Sequence, residues 1–307
     1  VFAALARPGH RLGIQRQRLE TEDGDFVDID ILAASPKSPR VLVLHGLEGS
    51  SEAGYIAEVF RLAEHRGWGA IGLNFRSCSG ELNRLAPSYH SGSTADALFV
   101  ARALRQQPGP LVAIGFSLGG NILLRLLGET GGRAPFDAAA AISAPYDLQA
   151  CARALDGAGG WPWIYRRGFL RSLRKKALEK SRRFPELFDR KRLRGLSRIE
   201  AFDDLVTAPL NGFASAADYY ARCSSGPILD RIVRPTLLIN AKDDPLSPAP
   251  VPPEASGNPN LSILLTEKGG HVGFVGGSLL RPKYWAEQQA MEFLSQHVQH
   301  ATVQRRS

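Results

Sequence analysis

The stretch LVAIGFSLGGNILLRLL, residues 111–127, decides the fold. Its first half is a short run of apolar residues of the kind that forms a strand buried on both faces. Its second half repeats apolar residues at helical spacing. Between them lies Gly115-Phe116-Ser117-Leu118-Gly119. A serine on so sharp a strand-to-helix turn has a strained backbone, and its close neighbours must be small for the helix to pack back on the strand. The G-x-S-x-G pattern alone is weak, and its place between a strand and a helix gives it weight. The competing reading is a glycine-rich helix start with Ser117 as N-cap.

Outward from this turn the same rhythm recurs. Apolar strands are expected at Val41 to Leu44, Ala70 to Phe75, Leu111 to Gly115, Ala138 to Ile142, Thr236 to Asn240 and Leu261 to Leu265. Helices are expected at Ser51 to Arg66, Thr94 to Gln106, Leu118 to Leu127 and Pro282 to His297. The alternation implies a doubly wound, mostly parallel sheet. A hairpin turning at Asp23-Gly24 precedes it, with Val27, Ile29 and Ile31 alternating against Asp28 and Asp30. The rhythm breaks after Tyr146, so residues 1–145 and 226–307 are expected to form the core and residues 146–225 a helical cap. Within the cap, Phe169, Leu173, Ala177 and Leu178 recur among Arg171, Arg174, Lys175, Lys176 and Lys180, an amphipathic pattern.

A serine hydroxyl is a poor nucleophile near neutral pH and needs a base. Of seven histidines, His271 is favoured, because Gly269-Gly270-His271 follows the last core strand and would project over its carboxyl edge. His45, before Gly46 at the end of another strand, is assigned a supporting role in shaping its loop. His10, His297 and His300 near the termini and His65 on a helix read as surface residues, and His90 falls in a loop. The third member should be a carboxylate that fixes the imidazole tautomer. Asp244, directly before Pro245, is favoured, with Asp243 as the alternative; a solvated turn is the bland reading of the pair. The order serine, aspartate, histidine differs from that of chymotrypsin-like and subtilisin-like enzymes. An oxyanion hole requires two aimed amides, for which Leu118 and Leu47 are the candidates. Because a neutral imidazole must act as base, activity is expected to decline below about pH 6 to 7.

With these residues in place, the sequence resembles the YheT-like α/β-hydrolases, a group that includes plant and animal abhydrolase-domain esterases and lipases. The resemblance runs from about Leu44 to Phe274. It is carried by HGLEGSS at His45, NFRSCSGELN at Asn74, YHSG at Tyr89 and GFSLGGN at Gly115. FDDLVTAP with a following GF and DYY (Phe202 to Tyr220), AKDDP at Ala241 and GGHVGF at Gly269 complete it. It implies an α/β-hydrolase fold with a Ser/Asp/His triad on Ser117, the Asp243-Asp244 pair and His271, and carboxylic-ester or lipid substrates. The stretch from Phe202 to Tyr220 has no evident chemistry. Ser77 stands where the family pattern has glycine.

Composition narrows the remaining choices. The chain has 307 residues, 44% hydrophobic and 22% charged, which excludes disorder as the main state. No apolar run reaches the roughly 18 residues of a membrane span. Three scattered cysteines, Cys78, Cys151 and Cys223, fit neither a disulfide framework nor a metal site. No metal or organic cofactor is expected. The opening VFAALARPGH lacks a basic region before an apolar run, and with the cysteine usage this predicts a non-secreted, cytoplasmic protein. The net charge of +8 is concentrated: Arg166 to Arg198 holds 14 Lys/Arg against 3 Asp/Glu. Beside Trp161 and Trp163, that block suits peripheral contact with an anionic membrane better than nucleic acid. The expected activity is hydrolysis of esters of short or medium acyl chains through an acyl-enzyme. Acyl transfer on the same triad and a non-catalytic small-molecule or membrane-surface binder are the alternatives.

Overall fold

The computed structural model describes residues 13–157, 159–248, 255, 257–278 and 281–304. His10, the side chain of His300, the opening VFAALARPGH, the outer core limits at residues 1 and 307 and much of the proline-rich loop after Asp244 fall outside them.

Eight strands form one sheet in the order β1 (Ile14–Glu20), β2 (Phe26–Leu32), β4 (Gly69–Asn74), β3 (Arg40–Leu44), β5 (Leu111–Phe116), β6 (Ala138–Ile142), β7 (Thr236–Ala241) and β8 (Leu261–Thr266). The pairs β1–β2 and β2–β4 are antiparallel. Every pairing from β4 through to β8 is parallel.

The two-residue period of a strand divides the core cleanly. Leu42 and Leu44 of β3, Ala113 of β5 and Ala139 and Ala141 of β6 face one layer, with Val100 and Leu104 of α2 (Thr94–Arg105) and Ile122 and Leu126 of α3 (Leu118–Thr130). Val41 and Val43, Val112 and Ile114, Ala138 and Ala140 face the other. There they meet Val59 and Phe60 of α1 (Gly54–His65) and Ala290 and Met291 of the C-terminal helix Trp285–Gln304. The small side chains of β6 let that C-terminal helix lie close on the sheet.

Between β6 and β7 the described residues form helices: α4 (Leu148–Asp156), α5 (Gly160–Lys180), α6 (Arg190–Gly195), α7 (Ile199–Phe202) and α8 (Ala216–Cys223). The C-terminal helix is therefore α9. Asp203–Thr207 forms a single π turn directly after α7. This insertion buries a cluster of its own, including Leu155, Leu170, Leu193, Phe202 and Tyr220, joined by Leu246 from beyond β7.

Three readings of the sequence change. β2 is buried on both faces, because Asp28 and Asp30 are paired rather than solvated: Arg18 Nε donates to Asp28 at 2.9 Å and Arg16 Nε to Asp30 at 2.8 Å. Pro282 lies not in a helix but in β10 (Arg281–Tyr284), which pairs with β9 (Val275–Ser278) before α9 begins. The basic block is not wholly a solvated face. Lys180 is 2% exposed, and its ammonium donates to the carbonyls of Leu85, Ala86 and Pro87 at 2.9, 2.9 and 3.1 Å. Among the described residues no helix is long and apolar enough to cross a membrane.

The packing of β6 gives a direct expectation. Ala140→Leu places three extra carbons against α9 and should lower unfolding stability by about 1–3 kcal/mol, read from the urea midpoint at unchanged slope.

Candidate active site

Ser117 stands between β5 and α3 with φ 51° and ψ −122°. A non-glycine residue in this region is strained by about 1–3 kcal/mol and persists only where neighbours hold it. Its N–H donates to the Ile142 carbonyl at 2.8 Å, and its carbonyl accepts from the Asn121 N–H at 3.1 Å. Glycines make room for the turn. A Cβ on Gly115 would lie 2.4 Å from the Gly119 carbonyl oxygen, and one on Gly119 would lie 2.5 Å from the carbonyl oxygens of both Leu44 and His45. Asn121, buried one turn into α3, donates to the Ser91 and Cys223 carbonyls at 2.8 and 2.9 Å and so ties the helix to the insertion.

His271 reaches this serine from the loop after β8. Its Nε2 lies 2.8 Å from Ser117 Oγ, and its Nδ1 lies 2.9 Å from Asp244 Oδ2. A carboxylate beside Nδ1 fixes the proton there and leaves Nε2 to accept from the hydroxyl. Asp244 is also held by the Leu246 N–H, 2.9 Å from Oδ1. The alternative acid does something else. Asp243 accepts from the Gly269 and Gly270 N–H groups at 2.8 and 2.7 Å, bracing the backbone that carries His271. Ser143 braces the other side, its hydroxyl accepting from the Val272 N–H at 3.1 Å. The sequence gives one sign of Ser143: it follows β6 as Ser117 follows β5, and it too has positive φ, 52°.

Leu47 and Leu118 line one cavity together with Ser117 and His271. As the first residue of α3, Leu118 has an N–H with no carbonyl partner within the helix. His45 is wholly buried. Its Nδ1 lies 2.7 Å from the Gly46 carbonyl, its Nε2 accepts from the Phe75 N–H at 3.2 Å, and burial lowers its pKa to about 4. It braces the loop, both ring nitrogens being engaged by backbone groups. Glu48, which sequence reasoning passed over, anchors that loop to the insertion. Its backbone is left-handed, φ 56°, and its N–H donates to the Tyr89 hydroxyl at 2.7 Å. Its carboxylate accepts from the Tyr89 and Ser172 hydroxyls and, at 2.9 Å, from the Lys176 ammonium on α5.

Ser77 has φ 67°, which explains why glycine is expected there. Its hydroxyl donates to Asn83 Oδ1 at 2.6 Å and accepts from the Asn83 N–H at 3.1 Å, holding the strained turn away from the Ser117 site.

The cavity runs from Ser117 into the insertion between Leu148, Leu155, Phe169, Leu173 and Ile199. Tyr165 of α5 stands edge-on to His271, ring centres 6.1 Å apart. Among the described residues one carboxyl interrupts the apolar lining: Asp203, which accepts from the Thr207 hydroxyl at 2.6 Å and the Tyr220 hydroxyl at 2.7 Å. Burial, with Asp156 nearby, pushes it up to about 6 against the two hydrogen bonds that favour its ionised form. Among the described residues no group of three or more ligating side chains is placed to hold a metal ion.

A serine on a strand-to-helix turn, with a histidine and an aspartate from later loops at the carboxyl edge of a mostly parallel sheet, defines the class: α/β hydrolases. The chain belongs to the α/β hydrolase fold family, whose model matches residues 39–278. YheT of Escherichia coli (strain K12), provisionally named an esterase, is 42% identical over 92% of this chain and 85% of its own. Phospholipase ABHD3 of Mus musculus is 30% identical over 93% of this chain and 72% of its own. The solved structure of the Pyrococcus furiosus esterase Pf2001 shares the fold at 16% identity and a TM-score of 0.59, covering 93% of this chain and 91% of that one. The expected YheT-like membership holds, and the chain is an enzyme, a hydrolase acting on esters.

Asp203 gives a stability expectation. A carboxyl whose folded pKa is raised contributes stability at low pH that is lost as pH rises from about 4 through about 6. Asp203→Asn cannot ionise, so its melting temperature should gain on that of the natural protein as pH rises from about 4 through about 6 and keep a constant lead above that, a trend differential scanning fluorimetry reads directly.

Proposed function

We propose that the chain hydrolyses carboxylic esters of short or medium acyl chains through an acyl-enzyme on Ser117. The observation that carries this reading is the unbroken hydrogen-bonded chain from Asp244 through His271 to Ser117, at the mouth of an apolar cavity. His271 Nε2 takes the hydroxyl proton as Ser117 Oγ attacks the ester carbonyl. The developing oxyanion is received by the Leu47 and Leu118 amides, donors of a kind worth about 3 kcal/mol each. His271 then protonates the leaving alcohol, and a water activated by the same nitrogen releases the acid. Asp244 holds the imidazole in its productive tautomer and stabilises its protonated form. Residues 146–225 act as the cap, lending the walls that contact the acyl chain.

Substitution should separate the roles. Ser117→Ala is expected to lower kcat by about 10⁴-fold or more and to abolish labelling by a fluorophosphonate probe. Asp244→Asn should cost about 10⁴-fold, since it favours the wrong tautomer. Asp243→Asn, which loosens a loop, should cost much less and lower the melting temperature. Hydrolysis of p-nitrophenyl butyrate measures all three, and natural rates in Ser117→Ala would defeat the mechanism.

Lipid esters reach the cavity, on this reading, from an anionic membrane surface. At the start of α5, Trp161, Trp163 and Ile164 are 55%, 42% and 46% exposed, with the Arg167 guanidinium over the Trp163 ring at 5.5 Å. Arg171, Arg174, Lys175, Arg182, Arg190 and Arg194 line a basic groove along the same helix. Vesicles containing phosphatidylserine should sediment the protein at low salt and release it at high salt. The double change Trp161→Ala/Ile164→Ala should weaken binding about tenfold. Equal sedimentation with neutral and anionic vesicles would reject the electrostatic contact.

A further inference from the structure

The FDDLVTAP stretch, without evident chemistry in the sequence, supplies the one carboxylate in the cavity wall among the described residues. Asp203 opens the π turn, a local irregularity found disproportionately at functional sites. The turn brings Thr207 round to it, and α8 presents Tyr220, so both carboxylate oxygens are held by hydroxyls at 2.6 and 2.7 Å. Its neighbour Asp204 points elsewhere, accepting from the Ala216 N–H at 2.9 Å. Among the described residues no cationic side chain pairs with Asp203. The nearby acid, Asp156, is engaged in holding the N–H groups of Ile199 and Glu200 and in an ion pair with Arg198 at 3.5 Å. A carboxylate without a counter-cation among leucines and phenylalanine is costly to the fold, and two hydroxyls leave some of its acceptor positions unused. Those positions belong to a residue that lines the same cavity as Ser117 and His271.

We propose that Asp203, fixed by Thr207 and Tyr220, is the recognition point for a hydrogen-bond donor, a hydroxyl or an ammonium, carried on the part of the ester that enters the cavity. This rests on the ester-hydrolase reading of that cavity. The preferred substrates are then not plain alkyl esters but esters with a polar group at a set distance from the scissile carbonyl. A site built to receive such a donor discriminates against the analogue lacking it, because its own polar group is left unpaired.

The test compares methyl esters of straight-chain acids from butanoate to dodecanoate, each plain, ω-hydroxylated and ω-aminated. At one chain length the ω-hydroxy or ω-amino ester should exceed its plain counterpart about tenfold or more in kcat/KM. In Asp203→Asn that ratio should shrink, for an amino ester most of all, and in Asp203→Leu it should approach one. A larger ratio for the amino series identifies an ammonium as the natural donor, and a larger ratio for the hydroxy series identifies a hydroxyl. Ratios near one at every length in the natural enzyme, or a ratio unchanged in a folded Asp203→Asn, would overturn the inference. The same esters titrated against Ser117→Ala protein read recognition without turnover. Selective binding with no turnover by the natural enzyme would defeat the hydrolytic mechanism and uphold the recognition. Turnover without selectivity would do the reverse.

Discussion

The site depends on the approach of α3 to the end of β3, which is possible only because position 119 has no side chain. The Gly119 backbone sits where a single methyl group would be 2.5 Å from the Leu44 and His45 carbonyl oxygens. That contact joins the two halves of the candidate oxyanion side. It sets the turn bearing Ser117 and Leu118 directly against the loop bearing Gly46 and Leu47, and a Cβ on Gly46 would meet the Ser117 Cβ at 3.2 Å. His45 fixes the loop from beneath, using both ring nitrogens on backbone groups. The candidate nucleophile and oxyanion donors are therefore placed by backbone packing, which changes less than side-chain rotamers do. Preorganisation of this kind is what lets fixed dipoles act on a transition state without reorganising.

The side that carries His271 is built differently, by a loop held in a strained backbone. Val272 and Phe274 have φ of 57° and 41°, both left-handed for residues that disfavour it. Phe274 occupies the space beside Gly269, where a Cβ would lie 2.6 Å from its ring. The Asp243 carboxylate and the Ser143 hydroxyl grip the loop on either side of His271. Two adjacent aspartates thus divide the labour, one holding backbone and the other holding the imidazole. The same division recurs in the insertion, where Asp204 holds the Ala216 N–H and Asp203 faces the cavity.

The sheet was legible because burial on both faces writes continuous apolar runs into β3 to β7, and the G-x-S-x-G turn needs glycine for reasons visible in one dimension. The meeting of His271 and Asp244 with Ser117 was legible because each follows a core strand. What escaped notice depends on partners distant in the chain. Asp28 and Asp30 read as solvent-facing until Arg18 and Arg16 of the adjacent strand pair with them. Lys180 reads as one more surface cation until three carbonyls of the 85–87 segment surround its ammonium. Pro282 reads as a helix start, although Arg281–Tyr284 pairs with a glycine-containing strand that has no apolar signature. Glu48 and Asp203 lie inside stretches that carry the family resemblance, but nothing local shows their chemistry, since their meaning lies in what the insertion brings to them.

Glu48 also shows how the insertion and the core are joined at the candidate site. A carboxylate next to an oxyanion site opposes the charge that develops there, and the opposition is strong where water is excluded. The structure removes the opposition locally: the Lys176 ammonium at 2.9 Å neutralises Glu48, and the Tyr89 and Ser172 hydroxyls satisfy its oxygens. Lys176 and Ser172 belong to α5, the helix that also places Tyr165 beside His271 and Phe169 and Leu173 in the cavity wall. Displacing α5 would therefore widen the cavity and, in the same movement, leave an uncompensated negative charge beside Leu47. The helix that shapes the cavity is for this reason also the one that keeps the field at the candidate oxyanion hole favourable.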